Sequence, residues 1–283
     1  MNEIIWGNEL AKQFKDKLKA EVDDLRSQKR RIPGLSVILV GTDPASVSYV
    51  NNKQKACLEV GIKGAIINYP ETISEDILSK KIIELNNDDN VDGILVQLPL
   101  PKNINEAKVL GLIDVQKDVD GLHPLNIARL QLKQNCLVPC TPMGVMEIIK
   151  SIKYDLEGSR VVIVGRSNLV GRPIAQLMLN ANATVTICHS KTRDLKEICR
   201  QADVLVVAIG KMGLIQSDYI KPGAVVIDVG VNRGTDGKLH GDVDFDNVRP
   251  LTSYITPVPK GVGPMTIAML LKNTIQAYHM RES

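Results

Sequence analysis

A tyrosine and a lysine at i and i+4, Tyr49 and Lys53, fall where apolar spacing predicts a helix over 45–60, so both side chains leave one face. A phenol beside an amine is an acid–base pairing, and a lysine works near neutral pH once burial has lowered its pKa. The plainer reading of the same spacing is an amphipathic tyrosine and a solvated lysine, and spacing alone does not separate the two. Gln97 ends the apolar run Gly93-Ile94-Leu95-Val96, where open parallel sheets present ligand-facing residues. In Leu98-Pro99-Leu100-Pro101, which follows, two X-Pro bonds remove backbone donors and hold the chain extended. Asp120, beside Gly121, could accept hydrogen bonds from a heterocycle or brace its own turn. Short-chain dehydrogenases also carry Tyr-x-x-x-Lys, but after a glycine loop in the same domain. Here the pair lies far upstream of such a loop, which disfavours that reading.

That loop closes the run Arg160-Val161-Val162-Ile163-Val164-Gly165 and continues Arg166-Ser167-Asn168-Leu169-Val170-Gly171-Arg172-Pro173. Consecutive β-branched residues without alternation predict a strand buried on both faces. Gly165 then supplies a tight turn, and Gly171 with Pro173 opens an amphipathic helix. Such a turn brings unpaired N–H groups and a helix dipole to one point, an anion site suited to a dinucleotide. Ser167 stands where the usual Gly-x-Gly-x-x-Gly has its second glycine, so by itself the loop is equally a cofactor site or a plain βα turn. The next strand end weighs on the choice. NAD sites carry Asp or Glu about 20 residues on, for the ribose 2′-hydroxyl. This chain has Cys188-His189-Ser190-Lys191-Thr192-Arg193 there, hydroxyls and cations without an acid. With Arg166 at the adjacent turn, that set favours a 2′-phosphate, hence NADP over NAD; the alternative is a solvated basic loop. Gly261-Val262-Gly263, ahead of Pro264, reads as a backbone-donor nest before a last helix and a further place for a ligand.

The elements that must hold these residues alternate between strand and helix. Leu10, Phe14, Leu18, Val22 and Leu25 recur at helical spacing. A strand is expected at 35–40, then a helix with Asp43 near its start and Gly61 past its end. A strand at 65–68 precedes a helix capped by Ser74 that carries Ile77, Leu78, Ile82, Ile83 and Leu85 on one side. A third strand covers 93–97, and 118–124 is a polar loop. Thr141 reads as an N-cap and Pro142 as N1 of a helix bearing Val145, Ile148, Ile149 and Ile152. Strands at 161–164, 184–187, 204–208 and 224–228, with helices at 171–180 and 194–201, form a doubly wound, Rossmann-type set. A helix over 265–279 closes the chain. The fold class is therefore α/β in two domains, an N-terminal βαβ domain and a Rossmann-type domain, divided near Pro139-Cys140-Thr141-Pro142.

Composition bounds the partners. The 283 residues suffice for two domains, and 44% hydrophobic with 24% charged residues reads as soluble and globular. One Trp, six Tyr and two Phe leave the core aliphatic, and a net charge of +3 with no basic–aromatic tract points away from nucleic acid. Lys29-Arg30-Arg31 is most simply a solvated helix end before Pro33. No apolar run approaches the roughly 18 residues of a membrane span, and the acidic first helix fits neither a secretory signal nor a transit peptide. Five scattered cysteines without a Cys-x-x-Cys pair are expected as reduced thiols in a cytoplasmic protein, and no metal site is expected.

Together these motifs resemble the bifunctional methylenetetrahydrofolate dehydrogenase/cyclohydrolase family over essentially the whole length. The matching blocks, in order, are Gly41-Thr42-Asp43-Pro44-Ala45-Ser46 with Tyr49 and Lys53; Asp92-Gly93-Ile94-Leu95-Val96-Gln97 with Leu98-Pro99-Leu100-Pro101; Lys117-Asp118-Val119-Asp120-Gly121; and Pro139-Cys140-Thr141-Pro142. The glycine loop, His189-Ser190-Lys191-Thr192, and Val258-Pro259-Lys260-Gly261-Val262-Gly263-Pro264-Met265-Thr266 complete the set. The resemblance implies oxidation of 5,10-methylenetetrahydrofolate by NADP and hydrolysis of the methenyl product to 10-formyltetrahydrofolate. It makes Lys53 the amine of the hydrolytic step, Gln97 its tuning partner, Asp120 the anchor of the pterin and Tyr49 the ring along the folate. Leu98, Pro259, Gly261 and Gly263 join the substrate contacts, and Gly165, Arg166, Ser167, Ser190 and Val231 the cofactor contacts. It also implies a homodimer paired through the cofactor domain, a folate domain of 1–140 completed by 259–283, and a cofactor domain of 141–258. Lys260 departs from the family's Pro-Gly-Gly-Val-Gly-Pro. If that position needs φ > 0, a lysine is strained there; the alternative is a cation added near the folate or cofactor. A shikimate-type dehydrogenase shares the two-domain plan without needing the Tyr49, Lys53, Gln97 and Asp120 set, and a catalytically silent NADP-binding regulator is the reading from another class.

Overall fold

A computed structural model of the chain describes residues 3–282. In chain order the elements are β1 (Glu3–Ile4), α1 (Gly7–Ser27), β2 (Gly34–Val40), α2 (Pro44–Val60), β3 (Lys63–Tyr69), α3 (Glu75–Asn86), β4 (Gly93–Val96), α4 (Glu106–Leu110), α5 (Pro124–Gln131) and α6 (Cys140–Ser151). They continue as β5 (Arg160–Val164), α7 (Gly171–Asn180), β6 (Thr184–Cys188), α8 (Leu195–Cys199), β7 (Val204–Val207), β8 (Val225–Asp228), β9 (Asn232–Arg233), β10 (Leu239–His240), α9 (Phe245–Val248), β11 (Tyr254–Ile255) and α10 (Val262–Glu282). The chain divides into two compact units, one of Lys12–Cys140 with 267–282 and one of Thr141–Thr266 with 3–11.

In the first unit β2 is central in a parallel sheet ordered β3-β2-β4. Every residue of β2 and β4 is buried, as expected of strands covered on both faces. Ile38, Val40, Ile94 and Val96 pack on Leu78, Ile82 and Leu85 of α3, with Val109 of α4 in the same cluster. The Ser74 hydroxyl caps α3 by accepting from Ile77 N at 3.4 Å. The expected apolar side of α3 is narrower than its sequence implied, because Ile77 and Ile83 are exposed. A buried lysine closes that helix: Lys117 Nζ donates to Leu85 O (3.0 Å), Asn86 O (2.7 Å) and Asp88 O (2.8 Å), a cation on the carbonyl end of the helix dipole.

The end of α1 corrects a second expectation. Arg31 is no solvated helix end: its guanidinium grips the wholly buried Asp92 (2.7 and 2.9 Å), and Arg281 of α10 reaches the same carboxylate at 2.7 Å. Gly34 N also donates to Asp92, at 2.8 Å. A carboxylate so deeply buried needs this many donors, and removing one partner would strand a charge.

The second unit holds a six-stranded parallel sheet ordered β1-β11-β8-β7-β5-β6. Val162, Val164, Leu205, Val207, Val226 and Ile255 build its core against Cys199, Ile220 and Val248. The chain leaves β5 for β6 on one side and returns to β7 on the other, which puts a topological switch point between β5 and β7. Helix bounds differ from the sequence reading at three places. α8 is shorter than 194–201. α6 begins at Cys140, so Thr141 is helical and its hydroxyl meets that of Thr266 at 2.9 Å. α10 begins at Val262, so Val262 and Gly263 form its first turn instead of a loop ahead of it.

Candidate active site

Lys53 is placed by the start and stop of α2. Asp43 caps the helix, its carboxylate accepting from Ser46 N at 2.8 Å, Pro44 fixes the first turn, and Gly61 ends it in the left-handed region at φ 88°. Val50, Cys57 and Val60 bury one stripe of α2. Beside that stripe, Lys53 is half-buried and its Nζ lies 2.8 Å from Gln97 Oε1. Gln97 follows the last residue of β4, its backbone N–H donating to Ile38 O at 2.8 Å. Its amide nitrogen donates to Leu98 O at 2.7 Å, which fixes the amide so that the oxygen faces the lysine. Burial pushes the Lys53 pKa below its ordinary value, against the opposing pull of the Asp120 carboxylate.

Asp120 sits on a loop that runs beside β4, where Ile94 bridges Asp118 in parallel and Ile94 N donates to Lys117 O at 2.8 Å. The turn-bracing role is taken by Asp118. Its carboxylate accepts from Leu122 N (3.1 Å), His123 N (2.8 Å) and Asn126 Nδ2 (2.8 Å), and burial raises its pKa to about 7. The Cys140 thiol donates to Val119 O at 3.2 Å, and the Asp120 carboxylate acts on it electrostatically. Burial and that carboxylate hold the thiol well above its usual pKa, so it stays protonated. Lys53 and Gln97 are thus in contact, with Leu98 joined through Gln97 and Asp120 near enough to act on the amine. Tyr49, one turn before Lys53 on α2, is 43% exposed. The arrangement offers a base of lowered pKa, an acceptor that orients it, and a carboxylate to hold a polar ring.

The second unit gathers the other predicted residues at the carboxyl ends of its strands. Gly165 turns at φ 134°, and a Cβ there would stand 2.2 Å from Ala208 O at the end of β7, so only glycine fits the switch point. Ser167 Oγ accepts from Val170 N (3.2 Å) and Gly171 N (3.4 Å), which ties the turn to the start of α7. Arg166, Ser167, Ser190 and Val231 are all exposed. Residues 189–193 after β6 include no carboxylate, and the turn is closed by His189 N donating to Thr192 Oγ1 (2.8 Å) and Lys191 N to His189 Nδ1 (3.1 Å). The donor set of Arg166, Ser190, Lys191 and Arg193 fits a phosphorylated ribose.

Two buried acids behind these loops escaped sequence reading. Asp242 accepts from Ile209 N (2.6 Å), Gly210 N (2.9 Å), Lys211 N (2.8 Å) and Asn232 Nδ2 (2.9 Å). Asp228 accepts from Gly230 N (3.0 Å), Asp242 N (3.1 Å) and Val243 N (2.9 Å), and burial raises it to about 7. The one available signal was an acid closing the apolar run Val225-Val226-Ile227. Pro259, Gly261 and Gly263 belong to this unit, at and just before the first turn of α10. Val258–Pro259 is cis, as is Leu98–Pro99. Lys260 does adopt positive φ, 82°, and its ammonium lies 5.9 Å from the centre of the Trp6 ring.

Comparison with known proteins bears on both units. The catalytic domain of tetrahydrofolate dehydrogenase/cyclohydrolase matches residues 5–120, and the NAD(P)-binding domain of the same enzymes matches residues 139–282. A Bacillus cytotoxicus protein named bifunctional protein FolD is 56% identical over 274 residues, 97% of this chain and 96% of that one. The crystal structure of the bifunctional FolD of Campylobacter jejuni superposes with a TM-score of 0.96 at 49% identity, covering 98% of this chain and 99% of that one. The Trypanosoma brucei dehydrogenase–cyclohydrolase, solved with NADP and an inhibitor, gives 0.95 at 39% identity, covering 99% and 98%. Shikimate dehydrogenase from Aquifex aeolicus shares the fold alone, with a TM-score of 0.52 at 12% identity. With domain matches along nearly its whole length, and a lysine, glutamine and aspartate assembled in the part that matches the catalytic domain, the chain belongs to the tetrahydrofolate dehydrogenase/cyclohydrolase family.

Proposed function

We propose that the protein oxidises 5,10-methylenetetrahydrofolate to the methenyl form with NADP and hydrolyses that product to 10-formyltetrahydrofolate. The observation that carries the hydrolytic half is the 2.8 Å contact of Lys53 with Gln97 on an amine whose pKa burial has lowered. A neutral Lys53 Nζ takes the proton of the attacking water, and a cationic methenyl substrate disfavours the ammonium further. Gln97 Oε1 accepts one N–H of that amine and so directs its lone pair. Asp120 holds the pterin through its donors, and Tyr49 packs along the folate with its open ring. Leu98, Pro259, Gly261 and Gly263 are further substrate contacts.

NADP, when bound, supplies the hydride acceptor. Gly165, Arg166, Ser167, Ser190 and Val231 would hold it, and the cations after β6 support the 2′-phosphate form over NAD. In this reading 1–140 completed by 259–283 is the folate domain and 141–258 the cofactor domain, and the division between Cys140 and Thr141 supports the first boundary. The working form is a homodimer paired through the cofactor domain: β6 is an edge strand of its sheet, and Ile187 on it and Leu179 of α7 are exposed. Five free, buried cysteines support a cytoplasmic setting. Among the described residues no helix is long and apolar enough to cross a membrane.

The test is a coupled assay. NADPH should form when methylenetetrahydrofolate is supplied, methenyl absorbance should then decay, and shikimate should give no reduction. Tight NADP binding without turnover would support the silent regulator instead. Sedimentation of the purified protein as a monomer at assay concentration would remove the dimer.

A further inference from the structure

Asn273 is wholly buried on α10, and its amide nitrogen donates to two carbonyls from different segments, Val119 O and Val138 O, each at 2.8 Å. The same nitrogen lies 3.7 Å from Cys140 Sγ. The first carbonyl belongs to the peptide that enters Asp120, and the second to the peptide that enters Pro139. The amide cannot be turned over, because its oxygen would then face two carbonyls; that oxygen is buried without a hydrogen-bond partner. The side chain is therefore held in place as a two-way donor. The segments it joins touch backbone to backbone: Gly121 has φ 69°, and a Cβ there would stand 2.5 Å from both Pro139 N and Val138 C.

Contact alone lets one segment slide on the other, whereas two bonds from one nitrogen set their register. The 138–140 segment also carries the Cys140 thiol, which donates at 3.2 Å to Val119 O in that same peptide before Asp120, and Asp120 acts electrostatically on Lys53. We propose that Asn273 is a positioning residue for the folate chemistry: it bolts the peptide before Asp120 to the peptide before Pro139, and so fixes where the Asp120 carboxylate stands against the Lys53 amine. This rests on the roles given above to Asp120 and Lys53.

The experiment compares Asn273→Ala, Asn273→Ser, Asp120→Asn and Thr274→Val in the full chain. The readouts are KM for methylenetetrahydrofolate, KM for NADP, the pH profile of methenyl hydrolysis, and Tm. Asn273→Ala should raise the folate KM and slow hydrolysis by about 10-fold, within the roughly 100-fold that an ångström of misplacement costs, and leave the NADP KM unmoved. Its rising limb of hydrolysis should shift to lower pH, in the direction of Asp120→Asn, because a displaced carboxylate no longer raises the Lys53 pKa. Asn273→Ser keeps one donor and should fall between, and it carries the test where the alanine variant does not fold. Thr274 is buried on the same helix with its hydroxyl on Leu270 O at 2.9 Å. Thr274→Val should lower Tm without moving the folate KM or the pH limb. If Asp120→Asn moves both and the Asn273 variants change only Tm, the positioning role is overturned. If Asp120→Asn itself moves neither, the site reading fails first.

Discussion

The corner around Lys53 and the turn around Gly165 solve opposite problems. Around Lys53 the candidate groups are side chains, drawn inward until burial lowers an amine's pKa and keeps a thiol protonated. Around Gly165 the candidate groups are the turn itself and exposed side chains, and the buried groups stand behind them: Asp242 and Asp228 grip the neighbouring loops. Proton transfer needs a shifted pKa and therefore a partly dry setting. Holding a polyanion needs accessible donors and cations, and a fixed frame. One region is specified by what its side chains are, the other by what its backbone is free to do.

Lys53→Met tests the difference most sharply. Hydrolysis should fall about 100- to 10,000-fold, the range for loss of a positioned acid–base group, while NADP affinity holds. Normal hydrolysis by this variant would remove the amine from the chemistry. Gly165→Ala is the counterpart. Its Cβ must displace the Ala208 carbonyl, so we expect NADP affinity to drop about 10-fold and stability to fall by roughly 1–3 kcal/mol. Hydrolysis of supplied methenyltetrahydrofolate, which needs no cofactor, should persist; an equal loss of both activities would erase the distinction.

A third prediction concerns the buried acids. Asp228 and Asp118 each have a folded pKa of about 7, raised by burial above the unfolded value, so the folded form holds a proton that the unfolded chain has released. Their stabilisation is full at acid pH, declines as pH rises toward 7, and is flat beyond it, with a slope of at most about 1.4 kcal/mol per pH unit each. Urea midpoints taken from pH 5 to 8 should fall and then level. Asp228→Asn should flatten its share of that slope and Asp118→Asn the other, and a rise in midpoint between pH 5 and 7 would contradict the assignment. Smallest is Lys260. Glycine there relieves about 1 kcal/mol of left-handed backbone but forfeits about 0.5–1 kcal/mol of cation–π contact with Trp6, so Lys260→Gly should be near neutral. Lys260→Ala keeps the strain, loses the contact, and should lower Tm.

Legibility followed the same divide. Strands β2, β4, β5 and β7 could be read because burial on both faces leaves nearly continuous apolar runs, and α2 because Asp43, Pro44 and Gly61 mark its ends. Lys53, Gln97, Asp120 and Gly165 were visible as types at telling positions. β1 and β11, two residues each, carry no period to detect; their pairing is decided by partners distant in sequence. Arg31 looked solvated because the acid it grips lies on another segment. Asn273 was hidden for a similar reason: one amide in an apolar helix has no pattern, and its meaning lies in two carbonyls far up the chain.

That last helix has a consequence for how the protein is made. Arg281 and Asn273 complete contacts to Asp92, Val119 and Val138, residues synthesised long before them. The whole of Thr141–Thr266 is translated in between, an interval on the order of ten seconds at common ribosomal rates. Until the tail arrives, the early segment carries Asp92 and the Asp120 loop without their final partners, so a chaperone or protease would find its best opportunity in that nascent interval.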